Sequence, residues 1–350
     1  MNILIINRWN TSNLGDQAIG YAMESLCSGY GEITHADLCT THSKKSISHK
    51  VRSQSPKGFV GIKTLITKSC PPILRDAMWF RRNKVLYQCL TTKSYDAIFI
   101  GGGELIGPGT FSVALKYWAK QINKHQPKAK LFFFGVGVAS NCKEIDIRNM
   151  RDILYKANGI FVRDAKSHDN LVSNWGLCAT EIPDLVFSWN NQIALVSCPR
   201  QYILYGITDF QRIRKHDTML LTSESDYFEH SLKEIVALNH TGVKLFYTTQ
   251  DDFNACQRFR EYCFANGHNQ IDIAMYEDLK GLITEMSHAK TVYSPRMHAC
   301  ILGKMSGAEV HPILISPKMT SFKEKYITNG QDINIYRSIL EGVIRNCMTV

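Results

Sequence analysis

Short apolar runs alternate along the chain with longer amphipathic stretches, the pattern of strand–helix units that assemble into parallel sheets. In the first half the runs Ile3–Asn7, Ile33–Leu38, Ala97–Ile100, Leu131–Phe134 and Ile160–Val162 predict strands. Helical periodicity between them covers Asp16–Ser28, Phe111–Asn123, Glu144–Lys156 and Lys166–Asn174. The second half repeats the alternation. Its predicted strands are Met219–Leu221, Val243–Tyr247, Ile271–Ala274, Thr291–Tyr293 and Ile313–Ile315. Its predicted helices are Phe228–Leu238, Phe253–Ala265, Leu279–Ser287, Ala299–Met305 and the closing Ile333–Asn346. The stretch Pro183 to Pro199 breaks the rhythm and reads as a domain junction. The expected fold is α/β, with two Rossmann-like domains, 1–190 and 191–350, facing each other across a cleft.

One segment fits the rhythm poorly. Ser43 to Lys93 follows the second predicted strand as an insertion, split by Pro71-Pro72. Its second part, Ile73–Leu90, predicts a helix with Trp79 and Phe80 among Arg75, Arg81, Arg82 and Lys84.

A length of 350 residues supports two hydrophobic cores without disulfides or metals. Hydrophobic residues at 44% and charged residues at 21% exclude a disordered chain. The formal charge of +10 sharpens the picture because of where it sits. Ser43–Lys93 holds twelve Lys and Arg against a single acid, Asp76, so the remainder is close to neutral. The eleven cysteines are scattered and form no Cys-x-x-Cys pair, which argues against a zinc ribbon or a redox motif. Cys198, Cys263 and Cys300 stand in apolar contexts, and reduced thiols in a cytosolic compartment are expected. Asn2-Ile3-Leu4-Ile5-Ile6 opens on a strand pattern, which reads against a signal peptide, and no apolar run approaches the ~20 residues of a spanning helix. A soluble protein, or one bound at a membrane surface, is expected.

In open α/β sheets, ligands gather at the carboxyl ends of strands, where helix N-termini offer unpaired N–H groups to anions. Four loops hold such positions. Asn13-Leu14-Gly15-Asp16 reads either as a ligand loop or as a plain helix cap with Asp16 capping. Gly101-Gly102-Gly103-Glu104 lets a ligand approach the backbone, but it is neither Gly-x-Gly-x-x-Gly nor a P-loop. Gly135-Val136-Gly137 leads to Val162-Arg163-Asp164, where Arg163 either faces the cleft or pairs with Asp164. Ser294-Pro295-Arg296-Met297-His298 puts an arginine and a histidine at one strand-to-helix turn, with Lys318 on the same edge. Arginine suits bidentate carboxylate or phosphate binding, and histidine moves protons near neutral pH. No Ser/His/Asp order and no metal-ligand spacing stands out, so no metal is expected. The residues alone indicate an anion-binding cleft of a transferase with a phosphorylated or carboxylated donor.

These motifs, with Pro183-Asp184-Leu185 before the last of them, resemble in this order the polysaccharide pyruvyl transferase family, over roughly Met1 to Tyr326. The resemblance implies a GT-B-like fold. It also implies transfer of pyruvate from phosphoenolpyruvate to a sugar, closing a cyclic ketal and releasing phosphate, with no cofactor besides that donor. The family's strand-end arginine falls on Arg163. Its Arg-Leu-His turn falls on Arg296, Met297 and His298, with Met for Leu, and its downstream lysine falls on Lys318. On this reading His298 transfers the proton, Arg163 and Arg296 hold the donor's anions, and Lys318 neutralises the leaving phosphate. Asn13, Asp16, Gly102, Gly103 and Glu104 line the acceptor side, with Asp16 and Glu104 as hydroxyl contacts or bases.

Two rival readings fit the same residues. One is a GT-B-type glycosyltransferase using a nucleotide sugar; the other is an inactive glycan- or anion-binding homologue. The joint presence of Arg163, Arg296, His298 and Lys318 speaks against the second. The expected acceptor is an exopolysaccharide or cell-wall glycan, including lipid-linked precursors. Nucleic acid is not an expected partner, since no binding module accompanies the charge. Residues 43–93, with Trp79 and Phe80, would either rest on the inner face of the cell membrane or form a solvated flap.

Overall fold

The computed structural model describes residues 1–41, 46–49, 72–189, 200–215, 220–239 and 242–349. In the first lobe the strands are β1 (Asn2–Asn7), β2 (Glu32–Asp37), β3 (Ala97–Ile106), β4 (Lys130–Val138), β5 (Gly159–Val162) and β6 (Thr180–Glu181). They pair in the order β2-β1-β3-β4-β5-β6, parallel throughout. The second lobe holds β7 (Tyr202–Gly206), β8 (Val243–Phe246), β9 (Asp272–Ile273), β10 (Ala289–Ser294) and β11 (Glu309–Pro312). Their order is β11-β10-β7-β8-β9, again all parallel.

Parallel sheets are covered on both faces, so their central strands carry near-continuous apolar runs. In β1 the alternation sorts the side chains into two cores. Ile3 and Ile5 pack with Phe99, Phe134 and the helix Leu14–Cys27, whereas Leu4 and Ile6 pack with Phe133, Trp118 and Met150 on the other face. The last helix, Ile333–Thr349, returns to the first lobe, where Leu340 and Ile344 share a core with Leu14, Leu26 and Cys27. Burial pushes the thiols of Cys27 and Cys263 up to about 12, so these cysteines act as small hydrophobes. Every described cysteine is free; Cys198 lies outside the described residues.

Three expectations are corrected. Leu220 and Leu221 lie outside any strand, with Leu220 at φ 50° and 80% exposed, while Met219 is outside the described residues. The strand in that part of the sequence is β7, whose Tyr202-Ile203-Leu204-Tyr205 run lies just beyond the junction. The last strand is Glu309–Pro312 and ends before the predicted Ile313–Ile315. The helix expected over Ile73–Leu90 stops at Asn83 and continues as a 3-10 turn, Lys84–Tyr87, and a short helix, Cys89–Thr92.

Of the basic insertion, residues 43–45 and 50–71 lie outside the described residues. Residues 46–49 cross to the second lobe. Ile47 N–H donates to Glu277 O at 3.0 Å, Ser48 exchanges hydrogen bonds with the Gln250 amide, and His49 Nε2 sits 2.9 Å from Tyr247 Oη. Among the described residues no helix is long and apolar enough to cross a membrane.

Candidate functional site

The carboxyl ends of the two sheets face each other, and backbone contacts join them directly. Leu14 N–H, at the start of the first helix, donates to Thr248 O of the second lobe at 2.9 Å. Asn13 rather than Asp16 caps this helix, its Oδ1 accepting from Gly15 N at 3.0 Å. Asp16 is left in the first turn, 3.9 Å from Arg8 Nη1. Gly15 lies against the second lobe's histidine: a Cβ here would stand 2.7 Å from His298 Nδ1.

The glycines of β3 divide their roles. Gly102 and Gly103 take φ of +70° and +73°, a region that favours glycine. A Cβ on Gly102 would meet Ile19 Cγ2 at 1.8 Å, so this glycine admits the first helix rather than a ligand. Gly103 has only distant neighbours, the nearest being Asp16 Oδ1 and two apolar carbons at 3.9 Å. Glu104 beside it is exposed.

Arg163 follows β5 directly, and its side chain is only 3% exposed. Gly137 makes the room: a Cβ there would lie 2.9 Å from Arg163 Nη2. Asp164 Oδ2 is 3.5 Å from Nε, and Asp184 Oδ2 is 3.8 Å from Nη1. Neither carboxylate forms a hydrogen bond there, so Nε and Nη1 are buried without a partner. Asp164 uses Oδ1 to cap the next helix through Ser167 N at 2.8 Å. The pairing expected as an alternative is thus loose, and the guanidinium keeps donors to offer. A buried donor left unsatisfied costs about 1–3 kcal/mol, which a ligand oxygen would recover.

Asp184, on the loop after β6, occupies the centre of this arrangement. Its Oδ1 accepts from Val186 N, and its Oδ2 faces both Arg163 and His298 Nε2, the latter at 3.4 Å. Burial alone would raise this carboxyl. His298 and Arg163 outweigh that effect and hold it well below the usual carboxylate range. Across the cleft, Lys318 stands on the short helix Pro317–Phe322. The residue is exposed at the edge of the cleft. Partial desolvation, with the like charge of Arg163, pushes its pKa down to about 8, against the pull of Asp184, Glu104 and Asp164.

Arg296 is differently placed. Its Nε donates to Asp252 Oδ2 at 3.1 Å, and its Nη2 donates to Oδ1 of the same carboxylate. Asp252 is fully buried and also accepts from Thr208 Oγ1 at 2.9 Å and Thr248 Oγ1 at 3.2 Å. Burial would raise its carboxyl too, but the Arg296 guanidinium and Thr208 hold it below the ordinary range. Met297 turns its side chain into the core, which leaves its backbone N–H, at the start of helix Met297–Met305, as its polar contribution.

Arg163 and His298 therefore converge on Asp184, with Lys318 in electrostatic reach of Arg163, Asp184 and Glu104. Arg296 borders the group with one edge of its guanidinium committed. Asp184 and Asp252 are absent from the sequence-based candidates. Asp184 could have been found from its place in Pro183-Asp184-Leu185, whereas Asp252 follows Thr249 as an ordinary helix start. Among the described residues no three His, Cys, Asp or Glu are gathered to hold a metal ion.

A family model described as polysaccharide pyruvyl transferase matches residues 13–317. No curated protein sequence matches the chain. Among solved structures, UDP-GlcNAc 2-epimerase from Neisseria meningitidis bound to UDP-GlcNAc is similar at TM-score 0.50 and 11% identity, over 100% of both chains. The Methanocaldococcus jannaschii UDP-GlcNAc 2-epimerase, in complex with UDP-GlcNAc and UDP, is similar at TM-score 0.51 and 10% identity, over 100% of this chain and 99% of the other. At these identities the likeness shows the fold, a GT-B-like pair of α/β lobes.

Proposed function

The chain belongs to the polysaccharide pyruvyl transferase family, and from this premise we propose that its donor is phosphoenolpyruvate and its product a cyclic pyruvate ketal on a glycan. The observation that carries the reading is Arg163, a nearly buried guanidinium with two N–H sites lacking partners, faced by the Lys318 ammonium and His298. Phosphoenolpyruvate carries a carboxylate and a phosphate, and planar guanidinium donors suit both.

In this mechanism Arg163 holds the donor, and His298 delivers a proton to its methylene carbon. The enol carbon then becomes electrophilic and accepts two sugar hydroxyls in turn, while Lys318 neutralises the departing phosphate. Asp184 keeps the His298 ring oriented and balances the charge beside it. Arg296, fixed by Asp252, sets the turn that carries His298 and presents its free edge to the donor. Asp16 and Glu104, near Gly103, are the groups for hydroxyl contact on the acceptor side, with Asn13 shaping that loop as a cap. No resident cofactor takes part in this scheme. The acceptor is a polysaccharide unit, read here as one carried on a lipid-linked precursor at the inner membrane face.

The test is incubation of the protein with phosphoenolpyruvate and a panel of glycans. The expected result is glycan-dependent phosphate release together with a product mass increased by one pyruvate less water. Release of UDP from a nucleotide sugar, with phosphoenolpyruvate untouched, would overturn the reading in favour of glycosyl transfer. A His298→Ala protein with undiminished turnover would remove the histidine from the proton step.

A further inference from the structure

Helix Pro72–Asn83 lies against helix Thr110–His125 with its aromatic side inward. Phe80 stacks on Tyr117 at 4.6 Å between ring centroids, Trp79 on the same ring at 6.1 Å, and Asp76 pairs with Lys116 at 2.8 Å. The two aromatics expected to meet a membrane are thus spent on packing. The other side of the helix carries Leu74 and Met78 one turn apart, and Val85 stands out in the turn that follows. They are 55%, 43% and 50% exposed.

Exposed Arg75, Arg81, Arg82 and Lys84 surround these aliphatic side chains, and among the described residues none of the four forms an ion pair. Over residues 72–93 and 110–125 the sequence holds eight Lys and Arg against one acid, the Asp76 already neutralised by Lys116. The surface is therefore strongly cationic and studded with aliphatic groups.

We propose that this face docks on an anionic phospholipid bilayer. Leu74, Met78 and Val85 enter the boundary between headgroups and acyl chains, while the guanidinium groups rest on lipid phosphates. Single-stranded nucleic acid fits the same charge but would need open aromatic faces for its bases, and here Trp79, Phe80 and Tyr117 stack on one another. The contact stands on this face alone. Its use, bringing the cleft to a lipid-linked acceptor, rests on the reading of the acceptor given above.

The experiment is co-sedimentation of the full chain with phosphatidylcholine vesicles and with vesicles rich in phosphatidylglycerol. Two variants are compared, Arg75→Glu/Arg81→Glu/Arg82→Glu and Leu74→Ser/Met78→Ser/Val85→Ser. Wild-type protein is expected to bind the anionic vesicles at least about tenfold better than the neutral ones, and each variant to lose about tenfold or more, with unchanged melting. Equal binding to both vesicle types, no binding at all, or full binding by the serine variant would overturn the proposal. So would an oligonucleotide that outcompetes the vesicles. Pyruvyl transfer to a soluble glycan is measured alongside. Vesicle binding without transfer leaves the docking face standing and removes the function, and transfer without vesicle binding does the reverse.

Discussion

The two lobes each bring an arginine to the cleft, and they treat it in opposite ways. In the second lobe Arg296 is clamped by Asp252 through two hydrogen bonds, and two threonines complete the carboxylate's partners. In the first lobe Arg163 is more deeply buried, yet the two carboxylates beside it stand at 3.5 and 3.8 Å without hydrogen bonds. Removing an ion-paired partner from a protein interior is costly, so the first arrangement holds structure together. The second leaves donors poised for something that arrives. One residue type thus supplies a charge fixed by its partner and a charge left open on two sides, and the difference lies in the partners rather than in the burial.

Substitutions test that separation. Asp252→Ala strands the Arg296 guanidinium and is expected to lower stability by about 3–5 kcal/mol, read from the urea midpoint. A stable Asp252→Ala protein would mean that the clamp contributes little. Arg163→Met is expected to lower the urea midpoint less than Asp252→Ala does, since His298 still faces Asp184, while kcat/KM for phosphoenolpyruvate falls about 10²–10³-fold, the usual cost of losing one preorganised donor. If that variant unfolded instead, Arg163 would be holding the fold together as the Arg296–Asp252 pair does.

Gly137→Ala presses on the guanidinium from behind, at 2.9 Å from Nη2, and is expected to weaken donor use by up to about 10²-fold with little change in melting. Wild-type kinetics in this variant would show that Arg163 has slack. The smallest effect concerns Lys318, whose ammonium, unlike the Arg163 guanidinium, loses its charge within an accessible pH range. With its pKa down to about 8, the ammonium is charged below that pH and neutral above it. The KM for phosphoenolpyruvate should therefore rise about tenfold from pH 7 to pH 9, and Lys318→Met should abolish the inflection. Arg163 keeps its charge throughout, so an inflection that survived in Lys318→Met would have another source.

Much of this architecture is legible in the chain because parallel strands buried on both faces leave unbroken apolar runs, as in Ile3-Leu4-Ile5-Ile6 and Leu131-Phe132-Phe133-Phe134. β6 is not legible in the sequence because two exposed residues, Thr180 and Glu181, carry no such run. β7 is masked because its short run sits at the junction, next to proline and arginine. In the site, Arg163 and His298 stood out by their places at strand ends. Their partners did not, because Asp184 meets His298 only when the lobes come together. Gly102 and Gly137 read as ligand glycines, yet they make room for Ile19 and for the arginine side chain, a distinction that depends on packing.

The return of helix Ile333–Thr349 to the first lobe also bears on how the molecule is made. The sheet that emerges first from the ribosome has its strands by Glu181, but the core around Leu14, Leu26 and Cys27 still lacks Leu340 and Ile344. Those side chains arrive within the last 17-residue helix. Domains generally fold as units during synthesis, N-terminal first. Here the first lobe completes its core only after the second lobe has been made, because the helix that supplies Leu340 and Ile344 lies beyond it in the chain.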